Sequence, residues 1–307
     1  MERFRGVYTA IVTPFCDTYR YEGVLRTPLV DEGVLRILVE RNIKRGFSGI
    51  VACGTTGETP TLTSNERKRV IELTVECVNK RVPVIAGTGS NSTEQTIFNT
   101  QDAKDLGASV ALVVTPYYNK PTQEGLYQHF KAVADSVDIP MILYNVPSRT
   151  GGNLKPSTLE GLANKCPNIV GIKEASGDFD QVEQIISLRE SGAIPQGFSV
   201  LSGDDPMTLD LIKAGGDGVI SVASNLVPEQ MSKMVELALQ GDYQGANVIN
   251  EYLTPLFKAE FIETNPVPIK YMLALKGHCR ELYRLPLVPA SEENKEVIRD
   301  TLRIMNL

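Results

Sequence analysis

The sequence predicts an α/β protein built as a closed (β/α)8 TIM barrel with a C-terminal helical appendage. Three observations lead to this fold class. Eight short apolar segments rich in β-branched residues recur about every 30 residues, helical patterns lie between them, and polar residues do not alternate within them. Continuous apolarity indicates strands that are covered by helices on both faces, as in parallel sheets.

The eight predicted strands occupy the first three quarters of the chain. They are 7–12, 49–53, 83–87, 109–114, 140–145, 169–173, 198–202 and 217–221. Eight strand–helix units in roughly 225 residues favour a closed barrel over an open doubly wound sheet. We assign residues 1–227 to the catalytic barrel, and residues 228–307 to its closing helix and a C-terminal helical domain.

Helix signals separate the strands and continue after the last one. Thr63 and Glu66 have the spacing of a capping box at the start of a helix. Beyond the barrel, 228–240 and 294–305 are amphipathic and therefore predicted to be helical. We expect two proline-rich segments to interrupt the helices, 265–270 and 285–290.

Composition excludes several functional classes. The 307 residues include 42% hydrophobic and 22% charged side chains and carry a net charge of −6, without a stretch of clustered Lys and Arg. The chain therefore lacks the basic surface of a nucleic-acid-binding protein. Its apolar segments are too short to span a bilayer, and charged residues near the start do not fit a signal peptide. We expect a cytoplasmic protein that binds neither membrane nor nucleic acid.

Cysteine and histidine do not suggest a metal site. The five cysteines lie far apart with no CxxC pair, so we interpret them as structural thiols. The two histidines, His129 and His278, are too few for a three-histidine site. We therefore expect no metal and no disulfide framework.

Polar residues follow the predicted strands. In a barrel of this kind the active site lies at the C-terminal ends of the strands, so these residues should form a ring. From the second strand to the eighth, they are 54–58, 87–91, 115–121, 144–151, 173–174, 202–205 and 221–225. A lysine at the end of the sixth strand, several tyrosines, an arginine and several hydroxyl groups therefore meet at one mouth.

Lys173 closes an otherwise apolar strand, and a buried lysine needs a partner or a function. Burial favours the neutral form of an amine, which can attack a ketone or aldehyde to form a Schiff base. The alternative is a lysine at the rim that pairs with Glu174 or another acidic neighbour. The segment 54–58 (GTTGE) offers backbone N–H groups and two hydroxyls, which suit a carboxylate but also fit an ordinary turn.

Five segments, in order and at the strand ends, closely resemble the dihydrodipicolinate synthase family of pyruvate-dependent class I aldolases and lyases. They are GTTGE at 54–58, TPYYNKP at 115–121, YNVPSRTG at 144–151, GIKEASGD at 171–178 and SGDD at 202–205. The resemblance covers the barrel from about residue 6 to 225, and five ordered motifs are highly specific. Relative to the family, the segments 17–33 and 178–202 are longer than usual.

The resemblance implies a reaction. Members of the family condense pyruvate with L-aspartate 4-semialdehyde to give 4-hydroxy-tetrahydrodipicolinate, on the route to diaminopimelate and lysine. It implies that Lys173 forms an imine with pyruvate and that Tyr144 relays protons together with Thr56. Tyr118 corresponds to the second tyrosine of the relay, which the neighbouring subunit contributes. Neither a metal nor an organic cofactor is required.

The resemblance also implies substrate-binding roles. Thr55 and Thr56 correspond to residues that hold the pyruvate carboxylate, and Gly203 and Ile220 to residues that line the pocket. Arg149 can clamp the carboxylate of the second substrate. Sialic-acid lyases of the same fold generally have Ser-Thr in place of Thr55-Thr56 and lack this arginine. Two alternatives stay open: a related lyase or aldolase that acts on a sugar acid, and a binding or regulatory barrel without turnover.

The resemblance further implies a homotetramer, a dimer of tight dimers, although some members are dimers. A site for the end product lysine maps onto the tight-dimer interface. The mapped residues are Thr59, Pro60, Ser64, Arg67, Asn91, Gln95 and Tyr117. Asn91 and Tyr117 suit a lysine ligand and are the candidate allosteric residues. Since position 67 is a cation and position 95 a neutral amide, we expect lysine to inhibit weakly or not at all.

Overall fold

Eight parallel strands close into a barrel in the computed structural model, which describes residues 3–22 and 25–307. The barrel strands are β1 (Gly6–Ala10), β4 (Gly49–Ala52), β5 (Val84–Gly87), β6 (Val110–Val114), β7 (Met141–Asn145), β8 (Ile169–Glu174), β9 (Ser199–Ser202) and β10 (Gly218–Ser221). Each strand pairs with its neighbour in chain order, and β1 closes the barrel between β4 and β10. The predicted fold class is confirmed, and each barrel strand lies within two residues of its predicted bounds.

The segment after β1 differs from the loop that the sequence suggested. Two antiparallel strands, β2 (Phe15–Glu22) and β3 (Leu25–Val30), form a hairpin outside the barrel. The Arg26 guanidinium lies 3.7 Å from the centre of the Tyr19 ring, and Arg284 from the far end of the chain donates to the Pro28 carbonyl at 2.7 and 2.9 Å. The hairpin therefore depends partly on a contact that is distant in sequence.

Helices cover the outside of the barrel, and one short helix lies at its mouth. They are α1 (Glu32–Lys44), α2 (Ser64–Val78), α3 (Thr93–Asp105), α4 (Gln123–Ser136), α5 (Pro147–Thr150), α6 (Pro156–Lys165), α7 (Phe179–Glu190), α8 (Thr208–Lys213) and α9 (Pro228–Leu239). The helix at the mouth is α5. The predicted capping box at α2 is confirmed: the Thr63 hydroxyl accepts from the Glu66 N–H at 3.3 Å, and the Glu66 carboxylate accepts from the Thr63 N–H at 2.9 Å.

The apolar side chains form two layers. One layer lies between the strands and the surrounding helices, where Leu126, Phe130 and Ile172 are buried. The other fills the inside of the barrel and includes Tyr144 and Ile220. Because the strands are buried on both faces, they show the continuous apolar sequence from which they were predicted.

Three helices follow the barrel: α10 (Tyr243–Ala259), α11 (Val267–Leu275) and α12 (Glu292–Ile304). Segment 265–270 was expected to interrupt the helices, and this is wrong for residues 267–270. They belong to α11, which begins at Val267 and has Pro268 in its first turn. Proline is tolerated there because the first N–H groups of a helix have no partner within the helix. Segment 285–290 does lie between helices. Within residues 3–22 and 25–307, no helix combines the length and apolar character needed to cross a bilayer.

Candidate active site

A cavity of about 290 Å³ opens at the C-terminal ends of the barrel strands. The predicted site residues in its wall are Thr55, Thr56, Tyr117, Tyr144, Arg149 and Lys173. These residues come from four different strand ends, and the closure of the barrel brings them to one mouth.

Lys173 lies near the end of β8 and is only 6% exposed. Its Nζ lies 4.2 Å from the centre of the Tyr144 ring, and the two residues pair in register on β8 and β7. The ion pairs within the described part of the chain do not include Lys173. Its amine is therefore buried at the cavity, next to an aromatic ring, without a carboxylate in contact.

Glu174 is not the partner of Lys173. Successive side chains of a strand point to opposite faces, and Glu174 points away from the cavity into a polar cluster. Its carboxylate accepts from Asn145 Nδ2 at 3.1 and 3.2 Å, from Gln181 Nε2 at 3.0 Å and from the Ser176 N–H at 2.7 Å. Burial raises the pKa of Glu174, and these hydrogen bonds oppose the rise. The rim ion pair with Glu174 considered from the sequence is therefore absent.

The segment 54–58 forms a tight turn after β4. The Gly57 and Glu58 N–H groups donate to the carbonyls of Gly54 and Thr55 at 3.1 and 3.0 Å. Thr56 is buried, and its hydroxyl accepts from Asn265 Nδ2 at 3.0 Å, whereas Thr55 is half-buried at the cavity wall. The turn thus presents two threonines to the cavity.

Glu58 ends this turn with a left-handed backbone, φ 52°. A non-glycine residue rarely adopts this conformation, so it needs support from its surroundings. Lys270 Nζ donates to Glu58 Oε1 at 2.5 Å, and both side chains are fully buried. The buried ion pair ties the turn to α11.

The two adjacent tyrosines, Tyr117 and Tyr118, have different surroundings. Tyr117 lines the cavity and is partly exposed. Tyr118 has a positive φ of 74°, is 88% exposed and does not line the cavity. A single chain therefore does not bring Tyr118 to Lys173.

Arg149 and Gly203 flank the site in different ways. Arg149 is exposed at the cavity wall on the short helix α5, and no described carboxylate forms an ion pair with it. Gly203 leaves room for the lysine stem, because a Cβ there would lie 2.9 Å from Lys173 Cε. Neither Gly203 nor Ile220 is part of the cavity wall, and Ile220 is buried inside the barrel.

Asp204 and Asp205, which follow Gly203 in the chain, form an acidic cluster with Glu260. Asp205 Oδ2 accepts from the Val222 and Ala223 N–H groups at 2.8 and 3.0 Å, while Asp205 Oδ1 and both oxygens of Glu260 are buried without a donor from the described residues. Burial, followed by the nearby Asp205, raises the pKa of Glu260 well above its usual range. A protonated Glu260 can therefore donate to Asp205. Burial and Asp205 also raise the pKa of Asp204, and Lys173 opposes this rise.

The remaining predicted position, Asn91, is half-buried after β5, and its carbonyl accepts from Asn119 Nδ2 at 2.8 Å. Sequence reasoning missed Asn265 and Lys270, which contact the turn at 54–58 from the C-terminal segment. Lys270 shows the same signal as Lys173, a lysine among apolar residues, in the helix VPIKYMLAL. This signal could have identified Lys270 as a buried lysine from the sequence.

Comparison with known proteins supports one family. The model of the dihydrodipicolinate synthetase family matches residues 3–305. The chain is 49% identical over 304 residues to the 4-hydroxy-tetrahydrodipicolinate synthase of Thermodesulfovibrio yellowstonii, with 99% of both chains covered. It is 50% identical over 300 residues to the synthase of Syntrophus aciditrophicus, with 98% of both covered. The crystal structure of dihydrodipicolinate synthase from Aquifex aeolicus superposes with a TM-score of 0.93 at 44% identity, covering 99% of each chain. The chain therefore belongs to the dihydrodipicolinate synthetase family.

Proposed function

We propose that Lys173 is the Schiff-base lysine of a lyase that condenses pyruvate with L-aspartate 4-semialdehyde. The product is 4-hydroxy-tetrahydrodipicolinate, and the pathway is the biosynthesis of diaminopimelate and lysine. The observation that carries the proposal is the buried Lys173 amine, which lies at the cavity next to Tyr144 without an ion-pair partner among the described residues.

The reaction follows from the chemistry of an amine and a ketone. The lone pair of the Lys173 amine attacks the pyruvate carbonyl carbon to give a carbinolamine. Its hydroxyl group takes up a proton and leaves as water, which gives an iminium ion. The iminium withdraws electrons from the neighbouring methyl group, which loses a proton to form an enamine. The enamine carbon attacks the aldehyde carbon of the second substrate. The amino group of that substrate then attacks the imine carbon, closes the ring and releases Lys173.

Tyr144, Thr56 and Tyr118 are the proposed proton relay. Tyr144 lies beside the Lys173 amine, at the place where protons must be exchanged during imine formation. Thr56 lines the same cavity. Tyr118 reaches the site from a neighbouring subunit, which is supported by its 88% exposure in the single chain.

The substrate carboxylates have separate partners in this proposal. Thr55 and Thr56 hold the pyruvate carboxylate through hydroxyl and backbone N–H groups of the tight turn. The exposed guanidinium of Arg149 binds the carboxylate of the semialdehyde as a bidentate pair. Gly203 provides space beside the Lys173 stem, and Ile220 supports the barrel interior beneath the site.

The proposed enzyme is a cytoplasmic homotetramer, a dimer of dimers, that acts on small molecules and binds no nucleic acid. Residues 1–227 form its catalytic barrel and residues 228–307 the closing helix and the C-terminal helical domain. The need for Tyr118 from a second subunit supports at least a dimer. Asn91 and Tyr117 are proposed to belong to a site for lysine at the dimer interface.

A coupled assay with pyruvate and L-aspartate 4-semialdehyde tests this function. We expect turnover by the wild-type protein and its loss in Lys173→Ala. A sialic acid offered as the only substrate tests the sugar-acid alternative, which the synthase names of the relatives disfavour. Cleavage of the sialic acid without turnover of the semialdehyde would refute the proposal, and so would a protein that turns over neither, as a binding barrel would.

A further inference from the structure

The loop that carries Arg149 is closed at its base by side-chain hydrogen bonds. It comprises residues 146–152 and follows Asn145, the last residue of β7. Asn145 Nδ2 donates to Asn153 Oδ1 at 2.8 Å, and the Leu154 N–H donates to Asn145 Oδ1 at 2.9 Å. The Asn145 side chain therefore binds both residues that follow the loop and holds the two ends of the loop together.

Glu174 belongs to the same group of hydrogen bonds. It pairs in register with Asn145, and its carboxylate accepts from Asn145 Nδ2 and from Gln181 Nε2 on α7. Gln181 Oε1 in turn accepts from Asn153 Nδ2 at 2.8 Å. One carboxylate and three amides therefore form a closed ring, in which Glu174, Asn145 and Gln181 are buried and Asn153 is half-buried.

The two ends of this ring determine the orientation of every amide in it. The backbone N–H of Leu154 can only donate, so Asn145 has to turn its oxygen towards Leu154 and its nitrogen towards the ring. The carboxylate of Glu174 accepts, so Gln181 has to turn its nitrogen towards Glu174. Asn153 then accepts from Asn145 and donates to Gln181. The hydrogen-bond pattern therefore depends on an acceptor at position 174.

We propose that Glu174 is a positioning residue for the second substrate, because it fixes the loop 146–152 and thereby places the Arg149 guanidinium at the cavity wall. The inference rests on the proposed function, since Glu174 acts through Arg149. Arg149 lies on α5, within the loop that the ring closes. The pyruvate carboxylate has its proposed partners on the turn at 54–58, so the loop should affect the binding of the semialdehyde alone.

Glu174→Gln tests the ring with almost no change of shape. The new amide nitrogen faces the nitrogens of Asn145 and Gln181, and turning Gln181 or Asn153 only moves the contact between two donors to the next pair. We expect the KM for the semialdehyde to rise about 10-fold, the lower end of the loss of a hydrogen bond to a charged group. The KM for pyruvate and the rate of borohydride trapping should stay close to wild type. Glu183→Gln, at an exposed position of α7, is the charge-matched control.

A second substitution should restore the ring. Asn153→Asp combined with Glu174→Gln moves the carboxylate across the ring and keeps the net charge of wild type. The introduced carboxylate accepts from Asn145 and from a Gln181 amide that has turned round, and the oxygen of Gln181 then accepts from the amide at position 174. Every donor again has an acceptor. We expect the KM of the double variant for the semialdehyde to return close to the wild-type value.

Asn153→Asp alone leaves two carboxylates that both need the nitrogen of Gln181, so it should raise the KM for the semialdehyde as Glu174→Gln does. If one of the single variants does not fold, the other and the double variant complete the test. A purely structural role does not predict a selective effect on one substrate. Equal increases in both KM values, or a double variant no better than the single variants, would overturn the proposal.

An Arg149→Ala background tests whether Glu174 acts through Arg149. Without the guanidinium, Glu174→Gln should add almost nothing to the KM for the semialdehyde, because coupled residues give non-additive effects. An additive increase would overturn the proposal.

Borohydride trapping of pyruvate separates the two levels of inference. A wild-type protein that gains no reduced pyruvyl group would refute the proposed function itself. A wild-type protein that is trapped on Lys173, together with a Glu174→Gln variant that matches it in KM for the semialdehyde, would overturn only the role of Glu174.

Discussion

Lys173 Nζ lies 4.2 Å from the centre of the Tyr144 ring, on two neighbouring strands that are paired in register. The register fixes this distance, because both residues stand at the same level of the barrel and point to the same face. The backbone of the sheet therefore holds the proposed nucleophile next to the proposed proton carrier. Because the strand register sets this arrangement, the groups do not have to be brought together at a cost in entropy when the substrate binds.

Reduction of the imine should label one lysine. We expect sodium borohydride with pyruvate to inactivate the protein irreversibly and to add a reduced pyruvyl group to Lys173, because its amine is buried at the cavity without an ion pair among the described residues. Peptide mass mapping measures the site of labelling. Borohydride without pyruvate is the control, and a label on Lys270 or another lysine would show that Lys173 is wrongly assigned.

Removing a relay hydroxyl should slow the reaction without unfolding the protein. Tyr144→Phe and Tyr118→Phe should each lower kcat by about 10²–10³, the scale of general acid–base assistance. Steady-state kinetics and a thermal melt measure the two effects. Tyr243→Phe, on the exposed surface of α10, is the matched control and should behave like wild type. Near wild-type turnover in either relay variant would exclude that tyrosine from the relay.

Mixing inactive variants tests whether Tyr118 acts across subunits. A site in a mixed dimer of Tyr118→Phe and Lys173→Ala contains an intact Lys173 from one chain and an intact Tyr118 from the other. We expect activity to return when the two variants are unfolded and refolded together. If activity does not return although mixed dimers form, Tyr118 does not complete the site of a neighbour.

Arg149 should discriminate between the two substrates. A hydrogen bond to a charged group contributes about 1.5–3 kcal/mol, so Arg149→Ala should raise KM for the semialdehyde about 10- to 100-fold. The KM for pyruvate should change much less, because the proposed partners of that carboxylate are Thr55 and Thr56. Arg303→Ala, at an exposed position on α12, is the control. Equal increases for both substrates would contradict the carboxylate clamp.

L-Lysine should inhibit weakly. Arg67 at the mapped site is buried and pairs with Asp102 at 3.5 Å, and Gln95 donates to Asn99 at 2.8 Å, so neither residue supplies negative charge to the amines of the ligand. A lysine titration of the steady-state rate measures this, and half-inhibition below millimolar concentration would contradict the prediction. Gln95→Glu should strengthen inhibition, because it adds a carboxylate. Glu94, which directly precedes Gln95 in α3, is exposed. It would have to bind an amine of the ligand if the wild-type protein is sensitive to lysine.

The buried Glu260 should make stability depend on pH. Its pKa is raised in the folded protein, so the native state holds more protons than the unfolded state between the usual glutamate range and the raised value. The free energy of unfolding should therefore fall as the pH rises through that window, by up to about 1.4 kcal/mol per pH unit. Glu260→Gln should remove this dependence, because the glutamine amide carries N–H donors at every pH and can donate to Asp205 without taking up a proton. Urea titrations from pH 5 to 9, with the exposed Glu293→Gln as control, measure the slope; identical slopes in wild type and Glu260→Gln would contradict the assignment.

The order and pattern of the amino acids are enough to predict the barrel and most of the cavity wall. Eight apolar segments without alternation specify parallel strands that are covered on both faces. This pattern can be recognised in the sequence before any contact is known. Because active sites of such barrels lie at the strand ends, the positions of Lys173, Tyr144 and Arg149 along the chain already predicted that they would meet. The observed cavity contains all three.

The contacts that support these residues depend on how distant parts of the chain pack together. The hydrogen-bond partners of Glu174, the contact between Asn265 and Thr56 and the burial of Lys270 against Glu58 do not follow from local pattern. The last two join residues more than 200 positions apart. Periodicity reports which face of an element is buried, whereas the partner of a buried polar group depends on how distant elements pack. For the same reason the sequence did not predict the hairpin of β2 and β3, which Arg284 contacts. It also did not predict that α11 begins at Val267, and this helix carries the lysine that pairs with the turn at 54–58.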